Sequence, residues 1–349
     1  MTWAITNEHL EEARRAVKAH ADRTALVPAS QLGPNVWLKL ENEQKTGSFK
    51  VRGALARLSA LSLEERAKGV VAASAGNHGL GVSFAAKVLG IEARVFVPRD
   101  TPAVKREGIA RHGARVEVMD EPGYDAAETR ARAAVANTGE VFVSPYDDPW
   151  VAAGNGGTLA EEVFDQLTDV GAFVFPVGGG GLLAGIAAAA RHRGEQPSLL
   201  GVQSSASPAM TRSLEEGKAY ETWESAPTFA EGLEGGVAAA SVERAQAAGV
   251  QMHLVEEAAI AGAMRFASAE LGLRIEGSAA APLAHLIANP PPPGPATVVV
   301  VCGKNVDERI WRAVLAGVDD PLEARQWGAV APAPEPATEP ATDAESDDR

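Results

Sequence analysis

The residue with the most distinctive chemistry is Lys50, in the stretch TGSFKVRG at residues 46–53. An apolar run at residues 36–40 predicts a strand before it, and the residues after it follow a helical pattern. Ser48 is the predicted N-cap, which places Lys50 in the first turn of that helix. The positive end of the helix dipole lowers the pKa of an ammonium group there, as Schiff-base chemistry requires. A solvated surface lysine is the ordinary alternative.

A run of four glycines is the second candidate site. Gly178, Gly179, Gly180 and Gly181 lie between a predicted buried strand and an apolar helix. Backbone amides at a helix N-terminus form a phosphate cradle, although a close strand–helix turn also uses glycine. The run fits the dinucleotide fingerprint, but Gln203 stands where that fingerprint expects an acid. A small phosphorylated cofactor is therefore favoured over NAD or ATP.

Two further loops follow predicted strands. The amides of SAGNHG, residues 74–79, together with Ser74 and Asn77, can hold a carboxylate, although Asn77 also suits an ordinary helix cap. His78 has no second ligand at metal-binding spacing. Cys302 follows the strand at residues 298–301, at the sheet edge where ligands bind in doubly wound folds. A buried structural cysteine is the commoner situation.

Regular alternation of strands and helices from residue 69 onward predicts an α/β fold with doubly wound parallel sheets. Asn7 is the predicted cap of the first helix, and SLEE at residues 62–65 reads as a capping box. Residues 329–349 are dominated by Pro, Ala, Glu, Thr and Asp without periodicity, which predicts a disordered acidic tail.

Composition excludes several classes of protein. The 349 residues are 46% hydrophobic and 22% charged, which is ordinary for a globular protein. A net charge of −14 argues against nucleic acid or an anionic membrane as a partner. Cys302 is the single cysteine, which excludes an intrachain disulfide and a cysteine-based metal cluster. The polar N-terminal segment has no secretory core, so a cytoplasmic protein is expected.

Four motifs follow one another in the chain: residues 46–53, residues 74–79, the glycine run at residues 178–181, and the loop of Cys302. In this order they resemble pyridoxal-phosphate (PLP) enzymes of the tryptophan-synthase-β fold type, also called fold type II. Within that fold the chain is most similar to the serine/threonine dehydratase (ammonia-lyase) family, over residues 7–316. The resemblance implies two doubly wound parallel-sheet domains with the cofactor in the cleft between them. The large domain would comprise residues 1–46 and 144–320, and the small domain residues 47–143. A homodimer is also expected.

The resemblance assigns roles to individual residues. Lys50 would bind PLP as a Schiff base, with Phe49 against the ring, Asn77 at the phenolic oxygen and Cys302 at the pyridine nitrogen. The remaining cofactor-binding residues would be Gly178, Gly179, Gly180, Gly181, Leu182 and Gly232. The loop that binds the substrate carboxylate would be Ser74, Ala75, Gly76, Asn77 and His78.

The implied reaction is a β-elimination on a small amino acid, L-threonine or L-serine. Neutral Lys50 would remove the Cα proton, the β-hydroxyl would leave as water, and the product would become a 2-keto acid plus ammonia. Because no room remains after residue 320 for a regulatory amino-acid-binding domain, a catabolic role is expected.

Alternatives remain open within and outside this class. A dehydratase of hydroxyaspartate or phenylserine fits the same motifs, and so does a racemase, although Ala75 occupies the position where family racemases carry a serine base. A nucleotide-binding oxidoreductase and a non-catalytic binding protein leave the Lys50 stretch unexplained. No divalent metal is expected near residues 203–209, because that run contains no carboxylate.

The nature of Cys302 leads to a first prediction. A neutral thiol, unlike an aspartate, does not hold the pyridine nitrogen protonated, so the cofactor is a weaker electron sink and elimination outruns transamination. Cys302→Asp is expected to raise transamination relative to elimination. Product analysis measures the ratio of the two reactions, and an unchanged ratio would contradict the hypothesis.

Overall fold

A computed structural model describes residues 4–121 and 124–328. The strands are β1 (Leu26–Pro28), β2 (Val36–Lys39), β3 (Val70–Ala73), β4 (Ala93–Val97), β5 (Arg115–Val118), β6 (Val141–Phe142), β7 (Val170–Pro176), β8 (Ser198–Ser204), β9 (Gln251–Val255) and β10 (Ala296–Val300). The helices are α1 (Asn7–His20), α2 (Lys50–Ser59), α3 (Leu63–Lys68), α4 (Asn77–Leu89), α5 (Ala103–Arg111), α6 (Tyr124–Thr138), α7 (Pro149–Ala152), α8 (Thr158–Gln166), α9 (Gly181–Arg193), α10 (Ala209–Glu216), α11 (Ala239–Ala247), α12 (Glu257–Glu270), α13 (Gly277–Ala288), α14 (Glu308–Leu315) and α15 (Pro321–Gln326).

The larger sheet has six strands in the order β1-β2-β10-β7-β8-β9. All neighbouring pairs are parallel except β1 and β2. Strand β10 is buried along its whole length, as its unbroken apolar sequence requires of a parallel strand covered on both faces. The predicted fold class, α/β with doubly wound parallel sheets, is confirmed.

The smaller sheet has four parallel strands in the order β5-β4-β3-β6. Helix α2 contacts the cores of both sheets. Its residues Val51, Leu55 and Leu58 belong to the core of the smaller sheet, whereas Phe49 and Ala56 belong to the core of the larger one. The helix that begins at Lys50 therefore lies between the two sheets. The domain limits at residues 46/47 and 143/144 stay a prediction.

The starts of two helices test the capping predictions. Helix α1 is capped by Thr6, whose side chain forms a capping box with His9, so the prediction of Asn7 as the cap is wrong by one residue. Thr6 is preferred because its hydroxyl accepts a hydrogen bond from the backbone N–H of His9, whereas Asn7 is already the first residue of the helix. The capping box of Ser62 and Glu65 before α3 is confirmed.

A π-helical turn, Ala153–Gly157, joins α7 to α8 and brings two site-bearing helices together. A Cβ on Gly156 would lie 2.0 Å from the Leu182 carbonyl oxygen, so this turn packs directly against α9. The Asn155 Oδ1 accepts a hydrogen bond of 2.9 Å from the backbone N–H of Gly53 in α2. The turn therefore holds the helix of Lys50 against the helix that follows the glycine run.

Among the described residues, no helix is both long enough and apolar enough to cross a bilayer. The predicted acidic tail at residues 329–349 lies outside the described residues.

Candidate active site

The carboxyl ends of three adjacent strands carry the predicted site. Strands β2, β10 and β7 are neighbours in the larger sheet, and the segments that contain Lys50, Cys302 and Gly178 follow them. The backbone N–H of Phe49 donates to the Cys302 carbonyl oxygen at 3.1 Å, and that of Lys304 donates to the Gly47 carbonyl oxygen at 2.9 Å. The lysine segment is thus fixed to the cysteine loop by main-chain hydrogen bonds.

Lys50 is the first residue of α2, in the first turn as predicted, but Ser48 is not its N-cap. The N-cap is Phe49, and no side chain caps this helix. Ser48 instead forms an isolated antiparallel bridge with Gly303, which removes its backbone from the cap position. Its fully buried hydroxyl has no hydrogen-bond partner in the part of the chain that the structure describes.

Lys50 is half-buried in the structure. Its Nζ donates to the Pro145 carbonyl oxygen at 3.1 Å and lies 5.3 Å from the centroid of the Phe49 ring. Burial lowers the pKa of Lys50 to about 8, while the nearby Glu276 carboxylate acts in the opposite direction. About a tenth of this amine is therefore neutral at pH 7 and about half at pH 8, which suits a nucleophile or a base.

The lowered pKa of Lys50 has a measurable consequence. Because only the neutral amine attacks an aldehyde, the rate at which PLP reacts with the cofactor-free chain should rise with pH and level off above about 8. An ordinary lysine would keep gaining rate towards about pH 10.4. Stopped-flow absorbance from about pH 6 to about pH 10 measures this profile. A rate that climbs steadily to the upper limit would contradict the burial of Lys50.

The glycine run forms a tight turn ahead of α9. Gly180 has φ of +87°, a conformation that favours glycine. A Cβ on Gly179 would lie 2.4 Å from the Tyr146 ring, and one on Gly178 would lie 3.1 Å from the Gly232 carbonyl oxygen. The structure thus places Gly232 against the run, and α9 begins at Gly181 with Leu182 next. Side-chain-free amides at the start of a 13-residue helix fit a phosphate group.

The predicted carboxylate loop ends β3 and begins α4. Gly76 is the N-cap, so Asn77 is the first helical residue rather than the cap. The Ser74 hydroxyl accepts a hydrogen bond of 3.1 Å from the Gly76 backbone N–H and closes the turn beside Ala75. The loop leaves backbone N–H groups at the N-terminus of a 13-residue helix, which is the arrangement that favours an anion.

His78 is buried beneath this loop rather than exposed in it. Its Nε2 donates to the Val143 carbonyl oxygen at 2.9 Å, which leaves Nδ1 as an unprotonated acceptor. Burial, together with the charge of Lys50, lowers the pKa of His78 to about 3. The ring is therefore neutral and offers no positive charge to a carboxylate; its predicted role in substrate binding stays a prediction.

Glu276 and Asn305 belong to the site, although no role was assigned to them from the sequence. The Glu276 carboxylate accepts hydrogen bonds from the Asn77 side-chain amide at 2.8 and 3.1 Å. The Asn305 side chain donates to the Asn77 Oδ1 at 2.6 Å and lies in the loop after Cys302. In the sequence, Asn305 is a near neighbour of Cys302, whereas Glu276 stands in the segment EGSA at residues 276–279, apart from the other site residues.

The loop at residues 203–209 is held by side chains. Gln203 Oε1 accepts hydrogen bonds from the backbone N–H and the hydroxyl of Thr211, at 2.9 and 3.0 Å, and so caps the start of α10. The Ser204 hydroxyl donates to Glu257, whose carboxylate also accepts from Thr228 at 2.7 Å. No group of three or more metal-ligating side chains is assembled among residues 4–121 and 124–328.

This bonding supports the prediction that catalysis needs no divalent metal at residues 203–209. Because the Gln203 carbonyl is already committed to a helix N-terminus, EDTA or added Mg²⁺ should leave the rate unchanged. The measurement is steady-state turnover after dialysis against EDTA and after adding Mg²⁺ back. A rate that falls on chelation and recovers with Mg²⁺ would contradict the prediction.

The family follows from comparison with known proteins. Residues 17–303 match the model of the pyridoxal-phosphate-dependent enzyme family. The chain belongs to this family, and PLP is its cofactor. Lys50 with its lowered pKa, the glycine turn and Cys302, grouped at one sheet edge, fit that cofactor.

Three individual proteins show what the chain is similar to within this family. The chain is 39% identical to an L-threonine ammonia-lyase from Thermotoga maritima, over 87% of this chain and 76% of the relative. The processed form of threonine deaminase isoform 2 from Solanum lycopersicum superposes with a TM-score of 0.82 at 32% identity, covering 89% of this chain and 93% of that one. Maize serine racemase superposes with a TM-score of 0.81 at 26% identity, covering 90% and 98%.

Proposed function

We propose that the chain is a PLP-dependent ammonia-lyase that dehydrates and deaminates L-threonine or L-serine to a 2-keto acid and ammonia, in a catabolic role. The observation that carries the proposal is the half-buried Lys50, its pKa lowered to about 8, at the sheet edge that also bears the glycine turn. The identity of 39% with an L-threonine ammonia-lyase supports the choice of substrate.

The proposed cofactor contacts come from both sheets. PLP supplies an electrophilic carbon for the substrate amine and an electron sink for the charge that develops at Cα. We assign its contacts to Phe49, Lys50, Asn77, Gly178, Gly179, Gly180, Gly181, Leu182, Gly232 and Cys302. The buried Cys302 thiol is neutral, because burial and the nearby Glu276 carboxylate raise its pKa well above its ordinary value.

Lys50 is the proposed base. Its amine is neutral in a substantial fraction near pH 8, and the Pro145 carbonyl oxygen holds it at 3.1 Å. A neutral amine in a buried position can take the Cα proton of the substrate and later release it. The 74–78 loop is the proposed site of the substrate carboxylate, because its backbone amides lie at the N-terminus of α4.

The proposal is tested with a panel of β-hydroxy amino acids. The holoenzyme is incubated with L-threonine, L-serine, 3-hydroxyaspartate and phenylserine, and keto acid and ammonia are measured in parallel. We expect equal amounts of both products and the highest kcat/KM for L-threonine or L-serine. A higher kcat/KM for 3-hydroxyaspartate or phenylserine would contradict the assignment of L-threonine or L-serine as the substrate. Absence of ammonia from the whole panel would contradict the ammonia-lyase function.

Racemisation is the second candidate, since maize serine racemase shares the fold at 26% identity. A racemase needs a proton donor on the face of the substrate opposite Lys50. Ala75, in the predicted substrate loop, has no proton to give, so elimination is favoured. Chiral analysis of the same serine incubation distinguishes the two, and D-serine formed faster than pyruvate would favour racemisation.

We further propose that the enzyme is a cytoplasmic homodimer. The homodimer is implied by the family resemblance, whereas the cytoplasmic location is an expectation from the sequence. Light scattering after size-exclusion chromatography tests the dimer, and a monomeric mass for the active species would contradict it.

A further inference from the structure

Glu276 is a buried carboxyl group that the proposed reaction does not use. It precedes α13 as the N-cap residue, yet its side chain makes no capping hydrogen bond to that helix. Only 8% of the residue is exposed. The carboxylate turns instead towards the loop that contains Cys302 and towards Asn77.

Four groups surround this carboxylate. The Asn77 side chain donates to both oxygens, at 2.8 and 3.1 Å, and the Asn305 backbone N–H donates to Oε2 at 3.1 Å. The Cys302 thiol lies 3.9 Å from Oε1. A Cβ on Gly303 would lie 2.7 Å from the same oxygen, so the carboxylate is packed against this loop. Its position is therefore fixed from several sides.

The first consequence concerns the orientation of the Asn77 amide. Because a carboxylate only accepts hydrogen bonds, the NH₂ group of Asn77 must face Glu276, and its oxygen accepts from Asn305 at 2.6 Å. A flipped amide would place oxygen against oxygen. The locked amide keeps one N–H that is not directed at Glu276, and a phenolic oxygen of the cofactor needs such a donor.

The second consequence concerns the proton on Cys302. The thiol can donate to the Glu276 carboxylate, and a thiolate at this distance would face a second negative charge. Burial is the largest cause that raises the Cys302 pKa, Glu276 raises it further, and Lys50 on α2 opposes them. Burial raises the pKa of Glu276 itself above its ordinary value, and the hydrogen bonds from Asn77 and the Asn305 N–H favour its charged form. Glu231 and Lys105 act on this pKa in opposite directions.

We propose that Glu276 is a positioning residue, whose carboxylate locks the Asn77 amide with an N–H available to the cofactor and keeps the Cys302 thiol protonated. The cofactor part of this proposal rests on the proposed function of the site. The thiol part concerns the chain alone. Glu276 would thus set the hydrogen-bonding character of two cofactor contacts without touching the reacting atoms.

The test uses Glu276→Gln in the full chain, with Glu231→Gln as the control that removes a more exposed carboxylate nearby. Because Cys302 is the single cysteine, the ultraviolet absorbance of its thiolate reports on one group only. In the cofactor-free protein we expect Glu276→Gln to lower the thiol pKa by about one unit or more, and Glu231→Gln to leave it unchanged. We expect Glu276→Gln to weaken PLP binding about tenfold to 100-fold, measured by equilibrium titration.

Equal thiol titrations and equal PLP affinities in the two variants would overturn the proposal. If Glu276→Gln does not fold, the wild-type chain provides the test, because a thiol that ionises at or below the ordinary value of about 8.5 contradicts a carboxylate-held proton. Asn305→Ala then tests the orientation of the Asn77 amide, since it removes the hydrogen bond to Asn77 Oδ1 and leaves the Glu276 carboxylate in place. Undiminished PLP affinity in that variant would overturn the proposal that the amide is held in one orientation. The thiol titration needs no cofactor, so failure of the proposed enzymatic function would be seen separately.

Discussion

Lys50→Ala is expected to lower kcat by at least ~10³-fold and to abolish the visible absorption band of the cofactor-loaded protein. The variant removes both the amine that binds the cofactor covalently and the base that takes the substrate proton. The loss should be large because both roles depend on the same Nζ, whose pKa is lowered to about 8 by burial. Activity is measured as keto acid and ammonia released, and the absorption band is recorded after reconstitution with PLP.

Lys45→Ala is the matched control for this variant. Lys45 lies five positions earlier in the same segment, its side chain is 45% exposed, and its Nζ forms an ion pair of 2.9 Å with Asp22. An exposed pair of this kind contributes little, so the control should keep its activity and its absorption band. Equal activity of Lys50→Ala and Lys45→Ala would remove Lys50 from the mechanism.

Arg52→Ala is expected to destabilise the fold by about 3–5 kcal/mol, because it leaves two carboxylates facing each other without the cation that joins them. Arg52 Nε donates to Glu41 at 2.7 Å, and its Nη1 donates to Glu162 at 2.7 Å. Lys39 Nζ contacts the other oxygen of Glu162 at 2.7 Å. Arg52, Lys39 and Glu41 are all completely buried. The midpoint of urea unfolding, followed by circular dichroism, measures the loss.

Two variants control this prediction. Arg52→Lys keeps the charge and loses the fork that reaches two carboxylates, so an intermediate loss of stability is expected. Arg94→Ala removes a paired arginine whose side chain is 25% exposed on the smaller sheet, where the loss should stay within about 1 kcal/mol. Arg52→Ala that unfolds at the same urea concentration as Arg94→Ala would show that the buried network is not needed for stability.

The network also links stability to the site. Arg52 lies two residues after Lys50 on α2, and Glu41 lies in the turn after β2. Glu162 comes from α8, directly after the π-helical turn whose Asn155 bonds to α2. The buried charges and this amide together fix the start of α2, and with it the direction from which Lys50 enters the site.

The sequence alone was sufficient to predict the fold class and to predict that the motifs lie at one edge of a sheet. Unbroken apolar strands followed by glycine-rich loops and helices specify parallel sheets, and parallel strands place their carboxyl ends at one edge. Lys50 and Cys302 are more than 250 residues apart in the sequence. They nevertheless meet, together with Gly178, because they follow the neighbouring strands β2, β10 and β7.

The sequence was not sufficient where tertiary contacts decide the local structure. Ser48 has the chemistry of an N-cap, yet pairing with Gly303 displaced it from that position. Glu276 has no local signal, because its partners Asn77 and Cys302 are distant in the chain. The glycine-rich stretch at residues 153–157 gives no local signal for a helix. It nevertheless forms a π-helical turn, which packs against Leu182 and α2.

The most direct test of the account is the position of the covalent label after borohydride reduction of the PLP-loaded protein. Reduction followed by peptide mass spectrometry should find one phosphopyridoxyl group per chain, on Lys50, and none in Lys50→Ala. Lys39 is the informative alternative, since it is completely buried and its pKa is also lowered, chiefly by burial. A label on Lys39, or an unlabelled chain that still converts L-threonine to a keto acid and ammonia, would contradict the assignment of Lys50.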